Sequence, residues 1–283
     1  MLYDFDVERG CWIPLATEDE ITGLRGLGSS GDLIYALYDV DWTSTRLSIF
    51  RGRETLANIA DIALPDVIDP HSLWVDRERL LVTSTGRDEL LAYELRDGVP
   101  EGSPAVLWRA GTRGEDTHHL NSVTMHQGDV LVSAFGLRSG EYWRTARHGY
   151  IYNVSESKIV EENLYHPHSL SSRFGELYYI ESSRQALRSF GGTRIKARGY
   201  LRGCDFLNGS RMIVGTNAGR TKSKRSNLVH NDRWWYARED ELQIGSSSLA
   251  VLDLKRDVVE RYFDLSAFGG EVYDILIADP TSR

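Results

Sequence analysis

The chain has 283 residues and carries 33 Lys and Arg against 41 Asp and Glu, a formal net charge of −8. This acidic balance argues against a general nucleic-acid or anionic-membrane surface, because such surfaces need a basic face that neutralises phosphates. Its 41% hydrophobic and 26% charged residues are typical of a folded globular protein and exclude a largely disordered chain.

The N-terminal sequence MLYDFDVERG lacks the basic and apolar regions of a secretory signal. No apolar run approaches the roughly 20 residues that a membrane-spanning helix needs. The two cysteines, Cys11 and Cys204, show no CxxC or zinc-type spacing. We therefore expect a cytoplasmic protein that has no membrane or nucleic-acid partner.

Short apolar runs, each preceded by a polar turn, follow one another along the chain. The first follows the turn SGD at residues 30–32, and a late one follows NGS at residues 208–210. Polar turns between apolar runs are typical of β-hairpins, whereas helical periodicity is hard to find. The predicted strands include residues 33–37, 80–83, 130–133, 177–180 and 212–215. The sequence thus predicts an all-β fold.

Alignment of these hairpins reveals a repeat. His71, Asn121 and His168 each lie nine residues before the first residue of the next apolar run. A shorter unit and two weaker ones bring the number of units to six. The predicted inner strands begin near residues 25, 71, 121, 168, 204 and 272.

Six units in 283 residues give about 47 residues for each unit, the size of a β-propeller blade. Residues 271–279 (EVYDILIAD) supply an inner strand, and residues 1–15 supply the outer strands that this blade lacks. The prediction is one propeller domain over residues 1–283, with six blades and the last blade closed by the N-terminal strands. An irregular β-sandwich is the alternative.

Equivalent positions in successive blades form a ring around the central channel of a propeller. Small or apolar residues would suffice for a purely structural ring, but here the ring is polar. It consists of Arg25, His71, Asn121, His168, Cys204 or Asp205, and Tyr273 or Asp274.

This polar ring has three interpretations. In the first, His71, Asn121 and His168 bind a divalent metal ion (Fe, Zn, Mn, Ni, Mg or Ca), because imidazole nitrogens and an amide oxygen are suitable ligands. In the second, the two histidines act without metal as general base and general acid. In the third, they cap strand ends through hydrogen bonds to the backbone.

Two further residues are candidate catalytic groups. His119 lies two residues before Asn121 and shares its face of the strand. Glu181 ends the second strand of the fourth unit and is a candidate acid, base or ligand.

Two loops, residues 136–150 and 216–240, follow second strands and would both cover the ring. They contain cationic and aromatic residues that suit an anionic, ring-containing ligand. For the arginines that occur twice in Leu-Arg-Gly, a salt bridge between blades is an equal alternative, and loop 216–240 is otherwise a solvated basic turn. The candidate substrate-binding residues are Arg25, Arg202, Arg220, Asn217, Trp143 and His230.

Four segments resemble an uncharacterised bacterial family of six-bladed propellers of unknown function. They are LRGCDF (201–206), VGTNAGR (214–220), SLAVLDLKRDVVE (248–260) and GGEVYDI (269–275). The architecture is more distantly similar to gluconolactonase/paraoxonase-like and streptogramin-lyase-like propellers. That resemblance implies a divalent metal or a catalytic His at one mouth of the channel.

These observations predict a small-molecule enzyme, a metal-assisted or His-based lyase, isomerase or hydrolase. Its substrate would be an anionic carbohydrate-like compound or an intermediate of natural-product biosynthesis. The sequence contains no P-loop or Rossmann motif, so we expect no nucleotide cofactor. A non-catalytic propeller that binds a ligand or a partner protein is the alternative.

Overall fold

The computed structural model describes residues 2–16, 23–40, 44–52, 56–111, 114–137, 143–217, 247–267 and 271–277. Its strands are β1 (Leu2–Asp6), β2 (Cys11–Ala16), β3 (Gly23–Ser30), β4 (Leu33–Asp39), β5 (Thr45–Arg51), β6 (Ala57–Ala63), β7 (Pro70–Val75), β8 (Arg79–Ser84), β9 (Glu89–Arg96), β10 (Val99–Arg109), β11 (Leu120–His126), β12 (Asp129–Ala134), β13 (Gly149–Asn153), β14 (Lys158–Leu164), β15 (Pro167–Arg173), β16 (Glu176–Glu181), β17 (Ala186–Ser189), β18 (Arg194–Lys196), β19 (Tyr200–Asn208), β20 (Arg211–Asn217), β21 (Ser248–Asp253) and β22 (Val258–Asp264). Three 3-10 turns cover Thr85–Arg87, Trp143–Thr145 and Ser182–Arg184. Within the described ranges, no helix is long and apolar enough to cross a membrane.

The strands form five antiparallel four-stranded sheets, β3–β6, β7–β10, β11–β14, β15–β18 and β19–β22, each ordered as in the chain. The innermost strands β3, β7, β11, β15 and β19 line a central cavity. The predicted all-β propeller is therefore confirmed. The prediction of six blades is wrong, since the described residues form five.

The sixth position around the channel is filled without a blade. Strands β1 and β2 pair only with each other among the described residues. Their hairpin packs on the fifth blade, where the rings of Phe5 and Phe263 lie 4.9 Å apart. Residues 271–277, which were expected to form the inner strand, are extended but belong to no sheet.

Side chains, rather than a neighbouring strand, hold residues 271–277. Asn217 accepts a hydrogen bond from the Val272 backbone N–H at 2.6 Å and donates one to its carbonyl at 3.1 Å. Asp205 of β19 accepts from the Ile277 N–H at 2.7 Å. These side chains thus occupy backbone groups of Val272 and Ile277 that a neighbouring strand would otherwise bind.

The same segment also contacts the first blade. Asp274 accepts a hydrogen bond from the backbone N–H of Leu27 in β3 at 2.8 Å. On the other side, a Cβ at Gly203 of β19 would lie only 2.8 Å from Cα of Asp274, so this crossing needs a glycine. Residues 271–277 thus close the ring between the first and fifth blades.

Apolar residues on facing sheets form the core between adjacent blades. Between the first and second blades, Leu47, Ile49, Val82 and Leu91 are almost fully buried in one cluster. Hydroxyl groups add links from one blade to the next. Ser182 donates to the carbonyl of Leu201 at 2.7 Å, and Thr85 makes the equivalent bond between the second and third blades.

Every innermost strand contains a register irregularity near its start. A β-bulge of this kind turns a side chain away from the regular alternation of the strand. The irregularities lie between Leu24 and Gly26, Pro70 and Leu73, Leu120 and Ser122, His168 and Ser171, and Arg202 and Cys204. They fall at the ring positions, so they decide which side chains face the channel.

Replacement of Asn217 by Ala should loosen the ring closure. It removes three hydrogen bonds, two to Val272 and one to the Tyr200 carbonyl, and leaves buried backbone groups without these partners. We expect the free energy of unfolding to fall by about 2–4 kcal/mol. Urea denaturation measures this, and Asn58→Ala, at an exposed site, serves as the control. If Asn217→Ala loses no more free energy of unfolding than the control does, Asn217 does not hold the ring closed.

Candidate functional site

The central cavity has a volume of about 380 Å³. All five innermost strands and residues 271–277 contribute to its wall. Much of this wall carries hydroxyl groups, because a serine follows the ring residue on β7, β11 and β15. These are Ser72, Ser122 and Ser169. A cavity of this size and polarity is suited to one small hydrophilic molecule.

One end of the cavity holds five side chains from the polar ring. They are His71, Asn121, His168, Arg202 and Tyr273. Among them, His71 contacts both Asn121 and Tyr273, and His168 contacts Arg202. The structure therefore brings His71, Asn121 and His168 to one end of the channel, as the sequence alignment predicts.

On β19, Arg202, Cys204 and Asp205 all line the cavity, and Arg202 is the one that contacts His168. The bulge between Arg202 and Cys204 shifts the register by one residue, which the sequence does not reveal. Cys204 donates its thiol hydrogen to the Ser169 carbonyl at 3.3 Å, and burial raises its pKa well above the usual value. Asp205 uses its carboxylate to hold the backbone of Ile277.

His71 is a neutral imidazole with a defined orientation. Its Nδ1 lies 3.0 Å from the Tyr273 hydroxyl and 3.2 Å from the Asn121 amide nitrogen. Its Nε2 faces the Asp69 carboxylate at 3.6 Å, which assigns the ring proton to Nε2 and makes Nδ1 an acceptor. Burial lowers the pKa of His71 to about 3, although Asp69 opposes this shift.

His168 is neutral as well, and its tautomer follows from its partners. Nδ1 lies 3.0 Å from the carbonyl of His166, which can only accept, so Nδ1 carries the proton. Ser182 lies 2.6 Å from the same nitrogen. Nε2 then accepts from Nε of Arg202 at 3.2 Å. Burial, followed by the charge of Arg202, lowers the pKa of His168 well below its usual value.

Two guanidinium groups flank the Tyr273 ring. The central carbon of Arg202 lies 4.6 Å from the ring centroid and that of Arg25 lies 5.0 Å from it. Arg202 lines the cavity, whereas Arg25 lies outside the wall, 4% exposed, in an ion pair with Asp39 at 2.6 Å. Of these two arginines, only Arg202 is placed to contact a molecule in the cavity.

A second layer of aromatic side chains lies beyond the ring. His119 contacts the His71 ring at 4.7 Å, bonds to Asp116 at 2.9 Å and packs on Trp143 at 4.5 Å. Trp143 in turn donates to Asp116 at 3.1 Å. Neither His119 nor Trp143 lines the cavity, so the structure places them behind His71 instead of against a ligand.

The remaining candidates lie elsewhere. Glu181 is fully buried and forms ion pairs with Arg184 at 3.3 Å and Arg188 at 3.1 Å, away from the cavity wall. Asn217 holds residues 271–277, as described above. Arg220 and His230 lie outside the described residues.

One residue beside the ring, Asp69, was missed by the sequence prediction and is a further candidate for the site. It lies two residues before His71, as His119 and His166 lie two residues before Asn121 and His168. These three residues share left-handed backbone, with φ of 49°, 54° and 53°. The repeat therefore contained the signal for Asp69, in the position where two other blades carry His.

The side chains at the ring do not fit a divalent metal ion. No group of three or more His, Cys, Asp and Glu in the described part of the chain is arranged to hold one. The lone pair of His71 Nδ1 faces donors from Asn121 and Tyr273, and that of His168 Nε2 faces a guanidinium. A cation bound here would displace these donors and lie beside the charge of Arg202.

A model of a domain of unknown function, DUF4915, matches residues 56–282. The chain belongs to this family. The match confirms the expected relationship to a family of unknown function. A search of the curated proteins finds no match to the chain in sequence.

This DUF4915 chain is similar in fold to several solved propellers. A chain of the nidogen/laminin complex matches with a TM-score of 0.63, 10% identity, and coverage of 93% of this chain and 87% of that one. Regucalcin, a calcium-binding protein of Agrobacterium tumefaciens, matches with a TM-score of 0.57, 12% identity and coverage of 87% and 75%. A Lactobacillus plantarum protein matches with a TM-score of 0.52, 14% identity, and coverage of 93% of this chain and 77% of that one. At these identities the likeness establishes the fold alone.

The buried neutral histidines should make stability depend on pH. Burial lowers the pKa of His166 to about 3, below the value of 6.5 for an unfolded chain. Below pH 6.5 only the unfolded chain takes up this proton, so the histidine's contribution to stability is lost as the pH falls from 6.5 towards 3. Replacement of His166 by Gln should reduce the slope of unfolding free energy by about 1.4 kcal/mol per pH unit.

Urea denaturation between pH 4.5 and 7.5 measures this slope. Asp274 contributes with the opposite sign, because burial raises its pKa to about 7. The test therefore compares His166→Gln with wild type and with His148→Gln at an exposed histidine. Equal slopes in all three proteins would contradict a buried neutral His166.

The donor arrangement predicts that the purified protein holds no stoichiometric metal. We expect elemental analysis to find less than about 0.1 equivalent of Ca, Zn, Mn, Fe or Ni, since cation binding requires free ligand lone pairs. Melting temperatures with and without each metal, and with EDTA, should agree. One equivalent of metal that is lost in His71→Ala would overturn this expectation.

Proposed function

We propose that the DUF4915 chain is an enzyme that binds a small anionic polar molecule in its central cavity and acts on it by acid–base chemistry without a metal. The observation that carries the proposal is the cluster of Arg202, Tyr273 and neutral His71 at one end of a cavity of about 380 Å³. A lyase or isomerase reaction suits these groups, since both require proton transfer at a fixed position.

The charge distribution supports an anionic ligand. Arg202 lies in the cavity wall beside hydroxyl, amide and neutral imidazole groups. The wall also contains Arg173 and the carboxylates of Asp205 and Asp274, and each carboxylate accepts a hydrogen bond from a backbone N–H. Arginine binds carboxylates through paired hydrogen bonds, and its field is strengthened by the low dielectric of a buried site. A sugar acid combines the carboxylate that Arg202 requires with hydroxyl groups that match the serines.

Two of the serines beside the ring support a hydroxylated ligand. The Ser122 hydroxyl is paired with that of Ser133 at 2.7 Å, whereas Ser72 accepts from the Val123 N–H at 3.4 Å and Ser169 accepts from the Gly203 N–H at 2.9 Å. Since the hydroxyl oxygens of Ser72 and Ser169 already accept a backbone hydrogen bond, their own hydrogens are oriented to donate elsewhere. Hydroxyl oxygens of a carbohydrate-like ligand provide the matching acceptors.

A non-catalytic role in binding the same ligand is the second candidate. The hydroxyl-lined wall agrees equally with a binding protein. Proton exchange on the ligand separates the two functions. A cytoplasmic location, with no nucleic-acid partner, stays a prediction from the sequence.

Calorimetric titration with D-gluconate and D-glucuronate tests binding. Replacement of Arg202 by Gln removes a charged hydrogen bond and should weaken binding by about 10- to 100-fold. The control is Arg198→Gln, which removes the same charge outside the cavity wall. Equal affinities for the two variants would contradict the role of Arg202, and no binding of either acid by wild type would contradict the ligand class.

Catalysis is tested by incubating the bound acid in D₂O and following the C–H signals by NMR. The enzyme proposal expects loss of the signal from the carbon beside the carboxylate in wild type but not in His71→Gln. Binding without exchange favours the binding-protein alternative.

A further inference from the structure

Three tyrosine–histidine pairs occur in the described residues. The hydroxyl of Tyr273 lies 3.0 Å from Nδ1 of His71, that of Tyr200 lies 3.2 Å from Nδ1 of His166, and that of Tyr150 lies 2.9 Å from Nδ1 of His118. In each pair the rings meet edge to face, with centroids 5.9 to 6.1 Å apart. The pairs are therefore close to identical in local geometry.

The three pairs differ in the groups that surround them. Only the pair of Tyr273 and His71 lines the cavity. His166 uses its second ring nitrogen on the backbone carbonyl of Trp143 at 3.0 Å, which fixes the ring but supplies no charge. His71 instead turns its second nitrogen to a carboxylate, that of Asp69, which is 5% exposed.

The groups around Tyr273 lie in sequence, with a hydrogen bond of 3.0 Å between Tyr273 and His71 and an ion-pair distance of 3.6 Å between His71 and Asp69. The order is Tyr273 hydroxyl, His71 Nδ1, His71 Nε2 and Asp69. The central carbons of two guanidinium groups lie within 5.0 Å of the Tyr273 ring centroid, so positive charge faces the ring. A carboxylate thus lies on the far side of His71, and two cations lie beside Tyr273.

We propose that Tyr273 is the catalytic residue that exchanges a proton with the bound molecule, and that His71 and Asp69 are positioning residues that activate it. This inference rests on the proposed function and identifies the group that contacts the substrate. In this proposal, the residue that transfers a proton directly to or from the substrate is a tyrosine on residues 271–277 and not a histidine.

The reaction consists of two coupled proton transfers. Tyr273 takes a proton from a C–H or O–H bond of the substrate, and the electron pair of that bond stays on the substrate. The original hydroxyl proton of Tyr273 passes to Nδ1 of His71, where the Asp69 carboxylate opposes the burial that keeps this ring neutral in the resting state. Return of the two protons in the opposite direction restores the resting state, with the substrate proton delivered to the same or to a neighbouring atom.

The reactivity of the phenol toward N-acetylimidazole tests this without knowledge of the substrate. The phenol oxygen attacks the acetyl carbon, the C–N bond breaks, and imidazole leaves with the phenolic proton. Peptide mass spectrometry then gives the acetylation rate of each tyrosine. We expect Tyr273 to react at least about tenfold more slowly in Asp69→Asn than in wild type. The relay of Tyr273, His71 and Asp69 then lacks the carboxylate that supports proton transfer to His71.

Asp69→Asn is a mild change, since Asn tolerates the left-handed backbone at this position. His71→Gln should slow the reaction of Tyr273 to a similar degree. Tyr150→Phe removes the hydroxyl of an equivalent pair outside the cavity and should leave the rate at Tyr273 unchanged. Circular dichroism confirms that each variant is folded before rates are compared.

A Tyr273 rate in Asp69→Asn within twofold of the wild-type rate would overturn the proposal, as would an equal loss in Tyr150→Phe. Addition of D-gluconate tests the anion site independently, through protection of Tyr273 from acetylation. Absence of protection contradicts the proposed ligand class, whereas absence of the Asp69 effect contradicts the relay, so the two failures are distinguishable.

Discussion

Closure of the ring is the constraint on which the rest of the structure depends. Five blades leave a gap between the first and fifth, and residues 271–277 fill it through hydrogen bonds to Asn217, Asp205 and Leu27. The segment belongs to no sheet, so it joins β3 and β19 through side-chain hydrogen bonds and not through strand pairing. The segment also carries Tyr273, so the element that completes the fold completes the candidate site as well.

The candidate site combines burial with a fixed set of hydrogen bonds. Burial lowers the pKa of His71 and His168, which keeps both rings neutral at physiological pH. A neutral imidazole has one donor and one acceptor, and here each is matched to a specific partner. The positive charge at this end of the cavity consequently comes from arginine. This explains why the same residues suit an anion and do not suit a metal ion.

Much of the architecture was predictable because the repeat is a property of the sequence. Hairpin turns and equal spacings located the inner strands, and they brought His71, Asn121 and His168 together correctly. The number of blades was not predictable in the same way. Residues 271–277 have the pattern of a strand, but the side chains of Asn217 and Asp205 take its backbone bonds, and those contacts connect positions far apart in the chain.

The detail of the site depended on the bulges. Counting along β19 places Cys204 or Asp205 in the ring, and both line the cavity. The side chain that contacts His168 is nevertheless that of Arg202, just before the irregularity. Arg25 shows a different limit, since its ring position is correct but its charge is matched by Asp39 and the side chain does not reach the cavity. Asp69 could have been predicted from the repeat, because it occupies the position where two other blades carry His.

The bulges at the start of the innermost strands have a consequence for how such a site changes over time. On β3, β7 and β11 the ring residue lies inside the irregularity, and on β15 and β19 it borders it, so the path of the backbone places each of these side chains. Each blade therefore provides one ring position, where the backbone sets the location of the side chain and the residue type sets its chemistry. A single substitution at residue 71, 121, 168 or 202 can convert an acceptor into a donor or a cation into a neutral group without a new fold. A scaffold of this kind separates the evolution of reactivity from the maintenance of stability.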